Sequence, residues 1–197
     1  MNSIIILFDD FETLDVFGPV EVLGRLPQDY KLGFYSMHGG IVKSKQNVEV
    51  QTLSFDQIDS DKEYLILLPG GQGTRPIVND AEYIEKIKSI AEKAKYVLTV
   101  CTGSAVLAKT GLLKGKNATS NKIAFDWVTA QDADVNWKRK ARWVNDGKYY
   151  SSSGVSAGID MTLGFIADMH GKEIAVDTAK NIEYIWNKDK DNDPFAV

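Results

Sequence analysis

Cysteine is nearly absent from this sequence: Cys101 stands alone in 197 residues. An intramolecular disulfide framework is thereby excluded, and a reducing compartment, the cytoplasm, is expected. Histidine is almost as scarce. His38 and His170 lie far apart, so a histidine-rich metal site is not expected. There is no excess of positive charge, with 23 Lys and Arg against 27 Asp and Glu and a net charge of -4, and so no electrostatic footprint for nucleic acid. The densest basic cluster, Lys138, Arg139, Lys140 and Arg142, is brief and reads as a solvated face. No apolar run approaches the roughly 20 residues that span a bilayer, so no membrane partner is expected. Met1 to Phe8 is apolar but lacks a basic flank and a small-residue cleavage site; it reads as a strand, not a signal peptide.

What is present is ordinary globular material, 44% apolar and 25% charged, in a length suited to one domain over residues 1–197. Ile4 to Phe8, Tyr64 to Leu68 and Tyr96 to Val100 are unbroken apolar runs, as expected of strands buried on both faces. Lys31 to Ser36 and the alternating Val48 to Thr52 add two more strands, and Ala118-Thr119 another short one. Arg142 to Asp146 and Lys148 to Ser152 flank an Asp146-Gly147 hairpin signal. Helical spacing marks Leu14 to Leu23, Ala81 to Ala94, Gly103 to Lys109, Gly158 to Met169 and Lys172 to Trp186. The alternation predicts an α/β fold: a doubly wound, mainly parallel sheet with helices on both faces. Ligands of such sheets bind beyond the carboxyl ends of the strands. The turn after Phe8, Pro69-Gly70-Gly71 after Leu68, and Cys101-Thr102-Gly103 after Val100 all fall there.

Cys101 ends a buried strand and opens a helix, a sharp turn that the small residues Gly103, Ser104 and Ala105 permit. That placement suggests a reactive thiol, its pKa lowered by the helix N-terminus. A nucleophile attacking a carbonyl-like carbon needs donors for the developing charge. The amide of Thr102 is the natural first donor, and that of Gly70 or Gly71 the second. Proton transfer points to the acidic turn after the first strand. Glu12 and Asp15 are three apart, hence on one face of a helix, while Asp9 and Asp10 read as caps or solvated turn residues. Asp15, set among Leu14, Val16 and Phe17, is the favoured acid, with Glu12 the alternative; a buried carboxylate there has a raised pKa. Neither histidine falls at a strand end near these loops, which argues against a Cys-His dyad within the chain.

Five segments together resemble the ThiJ/PfpI superfamily, relatives of class I glutamine amidotransferases. They are Leu14-Asp15-Val16-Phe17-Gly18-Pro19, Leu68-Pro69-Gly70-Gly71-Gln72-Gly73, Val100-Cys101-Thr102-Gly103, Ala118-Thr119-Ser120, and Ser152-Ser153-Gly154-Val155-Ser156-Ala157-Gly158-Ile159-Asp160. The Leu-Asp-x-x-Gly-Pro and Cys-Thr-Gly pieces look like the isonitrile hydratase branch, whose essential aspartate, cysteine and threonine fall on Asp15, Cys101 and Thr102. The resemblance implies a flavodoxin-like fold, hydration of isonitriles to N-substituted formamides, no cofactor, and a homodimer. Many relatives have histidine soon after the alanine-threonine stretch, where this chain reads Ser120-Asn121-Lys122. That departure weakens a protease or amidase reading. The alternatives are a glyoxalase or deglycase acting on small 2-oxoaldehydes with Glu12 as base, and a redox or ligand sensor using Cys101. Four Trp and eight Tyr suggest aromatic surface for a two-fold interface, with Val16 to Val20 as its apolar patch.

Overall fold

Strands and helices alternate from the first residues of the computed structural model, which describes residues 1–196. The order is β1 (Asn2–Ile6), α1 (Thr13–Gly24), β2 (Lys31–Ser36), β3 (Gly40–Lys43), β4 (Glu49–Ser54), β5 (Tyr64–Leu68), α2 (Thr74–Ile77), α3 (Ala81–Lys93) and β6 (Tyr96–Val100). There follow α4 (Gly103–Lys109), β7 (Asn117–Ala118), α5 (Phe125–Thr129), β8 (Asn136–Trp137), β9 (Trp143–Asp146), β10 (Tyr149–Ser152), α6 (Ala157–His170) and α7 (Lys172–Asn181). Eight strands form one sheet in the order β3-β4-β2-β1-β5-β6-β10-β9, and β7 pairs with β8 beside it. The inner strands are parallel, and only the outermost pairs, β3 with β4 and β9 with β10, are antiparallel.

The all-apolar strands take the middle of the sheet because both their faces are covered by helices. Every residue of β5 is buried, and so are four of five in β1 and in β6. On one side α3 seats Tyr83, Ile87, Ile90 and Ala91, and the Asp80 carboxylate caps it by accepting the Tyr83 amide at 3.0 Å. α1 and α6 pack against each other so closely at Gly18 that a Cβ there would lie 2.7 Å from Ile159. After β1 the chain builds outward through β2 and β4, then returns to place β5 and β6 on the other flank of β1. That reversal leaves a crevice at the carboxyl ends of β1 and β5, the switch point of such a sheet.

Three expectations need correction. The patch foreseen for an interface is mostly internal: Val16, Gly18 and Pro19 are buried within the subunit, and only Phe17 and Val20 are half-exposed. None of the twelve Tyr and Trp side chains is fully exposed: Tyr30, Tyr64, Tyr83, Tyr150 and Trp143 are buried, and the other seven are half-buried against the core. The last helix stops at Asn181, five residues before Trp186. Glu183 turns through a positive φ of 52°, and residues 184–196 run as an irregular strap. No described helix is long and apolar enough to cross a membrane.

Candidate active site

β6 delivers Cys101 with its backbone at φ 55°, a left-handed conformation that a cysteine adopts only when its surroundings hold it there. The Cys101 amide donates to the Ser153 carbonyl at 3.1 Å, and its carbonyl accepts the hydroxyls of Ser104 at 3.0 Å and Ser120 at 2.8 Å. Gly103 completes the elbow: a Cβ there would sit 2.2 Å from the Leu68 carbonyl oxygen, so no other residue lets the start of α4 press against the end of β5.

Asp15, in the first turn of α1, lies opposite the thiol and has no solvent exposure. Its Oδ2 accepts the Gly70 amide at 2.9 Å, while its Oδ1, equally buried, has no hydrogen-bond partner. Burial pushes the carboxyl up to about 8; the Gly70 amide pulls it down, the charge of Glu12 pushes it up further, and the Cys101 contact pulls it down. Cys101 itself is 7% exposed. Burial, then the Asp15 charge, push its thiol well above the ordinary cysteine range, although the Thr102 amide and hydroxyl and the Asn121 side chain favour the thiolate. The lowered thiol pKa expected from the helix N-terminus is therefore not what the fold builds: α4 has only seven residues, and desolvation outweighs its dipole. At neutral pH both partners hold their protons.

The two glycines foreseen as oxyanion donors do other work. The Gly70 amide is committed to Asp15, and the Gly71 amide donates to Thr102 Oγ1 at 3.1 Å. They position Asp15 and Thr102. Thr102 Oγ1 also accepts the Thr74 hydroxyl at 3.1 Å, so the start of α2 steadies the residue beside the thiol. Glu12 is half-buried, with Oε1 accepting Gln46 Nε2 at 2.7 Å; it acts on Asp15 through its charge and makes no hydrogen bond to Cys101. His170 pairs with the Tyr30 hydroxyl at 2.8 Å, in a hollow it shares with Met1 at the start of β1.

Sequence reasoning missed Asn121, whose side chain bonds to the Cys101 thiol and whose Oδ1 accepts the Ala124 amide at 2.9 Å. Its place just after the Ala-Thr-Ser segment, where relatives differ, was the available signal. Arg75 was missed as well. Its guanidinium stacks 3.4 Å over the Trp127 ring, within electrostatic reach of Cys101. Beside the thiol opens a cavity of about 480 Å³ whose lining includes Leu14, Asn121, Ile123, Ser153, Val155 and Phe195. Among the described residues no cluster of histidine, cysteine and carboxylates could hold a metal ion.

Comparison with known proteins finds relatives of this chain. The sequence profile of the DJ-1/PfpI family matches residues 2–168. The isonitrile hydratase of Pseudomonas putida is 33% identical over 180 residues, 91% of this chain and 76% of that protein. A deglycase of Thermococcus kodakarensis is 29% identical over 154 residues, 77% of this chain and 89% of the relative. Among solved structures, a ThiJ/PfpI family protein from Pseudomonas syringae superposes with a TM-score of 0.84 at 27% identity, covering 98% of this chain and 76% of the other.

Proposed function

From the premise that the chain belongs to the DJ-1/PfpI family, we propose that it is a cysteine-dependent enzyme that hydrates an isonitrile, R–N≡C, to the N-substituted formamide. One observation carries the reading: a buried Asp15, protonated near neutral pH and with Oδ1 unpartnered, faces a thiol that also keeps its proton. Such a pair suits addition of S–H to a single carbon, because no net charge has to be created in the dry site. Asp15 gives its proton to the terminal carbon, the Cys101 sulfur bonds that carbon, and the thiol proton passes to Asp15. The product of this step is a thioimidate, R–N=CH–S–Cys. Water then adds to the same carbon, Asp15 moves a proton to the nitrogen, and the C–S bond breaks. R–NH–CHO leaves and the thiol is restored. The Thr102 amide and the Asn121 side chain, which favour a charged sulfur, steady it as the bond forms and breaks. No step calls for a cofactor, and the substrate is a small molecule.

The likeness to a deglycase supports the coarser statement that the chain is an enzyme. A 2-oxoaldehyde reaction would use Glu12 as base, and the bond from Gln46 draws that carboxylate away. As for a sensor, the protonated and covered thiol is a poor target for peroxide. The test is direct: the native protein and its Cys101→Ser variant are incubated with an isonitrile while the formyl proton is followed by NMR. Formamide is expected from the native protein alone. Its absence from the native protein, or its persistence in the variant, would end the proposal.

A further inference from the structure

The strap after α7 reaches the mouth of the site at Phe195. Arg142, 5% exposed, donates through Nε to Asp160 Oδ2 at 2.7 Å and places Nη1 3.7 Å from Asp193 Oδ2. The Asp193 amide donates to the Lys140 carbonyl at 2.7 Å, and its Oδ1 accepts the Phe195 amide at 2.9 Å. This buried latch fixes the strap, and the turn at Asp193 sets Phe195 on the rim of the cavity beside Cys101. Phe195 is 71% exposed there, and Ile123, which lines the same cavity, is 99% exposed.

The inner wall of the same cavity is continuous with the reacting groups. Asn121 touches the thiol, Ser153 accepts the Cys101 amide, and Leu14 precedes Asp15. Among the described residues no carboxylate lines it. Lys122 contributes to the wall, but its ammonium turns away to Thr119 Oγ1 at 2.8 Å and the Ala141 carbonyl at 2.6 Å. A hollow of this size with a mainly apolar lining and a few polar groups, Asn121 and Ser153 among them, is the form of a small-molecule subsite.

Resting on the isonitrile reading above, we infer that this cavity receives the substituent on the substrate nitrogen, that the substituent is uncharged and as bulky as an aryl or branched alkyl group, and that Phe195 is a specificity-determining residue. An ionised substituent would enter without a counter-charge and lose its hydration. An apolar one covers Leu14, Ile123, Val155 and Phe195 and leaves the isonitrile carbon toward Cys101 and Asp15.

The test uses two unreactive product-like probes, N-benzylformamide and N-methylformamide, titrated into the native protein by calorimetry. The benzyl probe is expected to bind at least about tenfold more tightly. Phe195→Ala removes most of that preference. Ile185→Ala, on the same strap and 94% exposed but away from the cavity, leaves it intact. Equal affinity for the two probes, or a preference that survives Phe195→Ala, overturns the inference. So does a sedimentation run in which Phe195→Ala splits a dimer while the preference stays, because the rim is then an interface between two copies. A benzyl preference lost in Phe195→Ala, with neither benzyl nor methyl isonitrile turned over, upholds the subsite and rejects the isonitrile reading.

Discussion

Asp15 and Asp160 are both wholly buried, each in the first turn of a helix, and the fold treats them in opposite ways. Asp160 is answered at every point. Its Oδ2 receives Arg142, its Oδ1 accepts the Asn187 amide at 2.9 Å, and Tyr184 adds a further hydrogen bond. Burial pushes its carboxyl up, and the Arg142 guanidinium pulls it back. Asp15 has the Gly70 amide, an unanswered oxygen, no cation, and a thiol for company. A carboxylate that holds structure is surrounded by donors and a counter-charge. One proposed to move protons is left with an atom free to gain and lose one, and burial, helped by the charge of Glu12, supplies the raised pKa.

The largest effect expected from this contrast is on stability. Arg142→Met leaves Asp160 and Asp193 buried without their cation, and urea unfolding should show a loss of about 3–5 kcal/mol. A loss under about 1 kcal/mol would mean that Asp160 does not depend on its ion pair, and the contrast would fail. Asp15→Asn should change stability in the other direction. The folded carboxyl titrates about 8 and the unfolded one about 3.9, so between these values only the folded state keeps the proton. Stability present at low pH is therefore drained as pH rises through about 8. The asparagine variant escapes that loss and should gain roughly 2–4 kcal/mol over the native protein at pH 8, with little difference near pH 4. Its turnover should drop about 10²–10⁴-fold, as for loss of a general acid. A difference in stability that does not vary with pH would show that Asp15 is ionised in the fold. The smallest effect belongs to Glu12→Gln. Removing its charge lowers the Asp15 pKa, so the alkaline limb of the rate profile should move to lower pH, with neutral turnover changed by roughly two- to threefold. A hundredfold loss in that variant would move the acid role to Glu12.

The two regions also differ in how far the sequence revealed them. The central strands were readable because burial on both faces demands unbroken apolar runs; Tyr64–Leu68 and Tyr96–Val100 match the sequence reading residue for residue. That Cys101, Asp15 and Thr102 lie together was readable because strand ends and small residues mark the elbow and a charge among apolar neighbours marks the proposed acid. β3 escaped notice because it is a four-residue edge strand with one buried residue, and α2 and α5, at four and five residues, are too short to show a helical period. Which way the Gly70 and Gly71 amides point, the reach of Asn121 to the thiol, and the latch of Arg142 on Asp160 and Asp193 are products of tertiary packing. They join residues far apart in sequence, and no local pattern encodes them. The raised thiol pKa belongs with these: the helix start is visible locally, but the desolvation that outweighs it appears only when the sheet and α1 close around Cys101.

The bond from the Cys101 amide to the Ser153 carbonyl sets an order in time. β6 can pair with β5 as soon as it has been made, but the elbow that follows β6 cannot be fastened until β10 and Ser153 have emerged and docked. At translation rates of roughly 5–20 residues per second, the chain between Cys101 and Ser153 takes on the order of seconds to appear. Through that interval the nascent thiol has neither its cover nor its protonated neighbour, and it titrates near the free value of about 8.5. The cysteine is thus most open to oxidants and alkylating agents while it is being synthesised, and the closing of the sheet's last parallel pair, β6 with β10, ends that exposure.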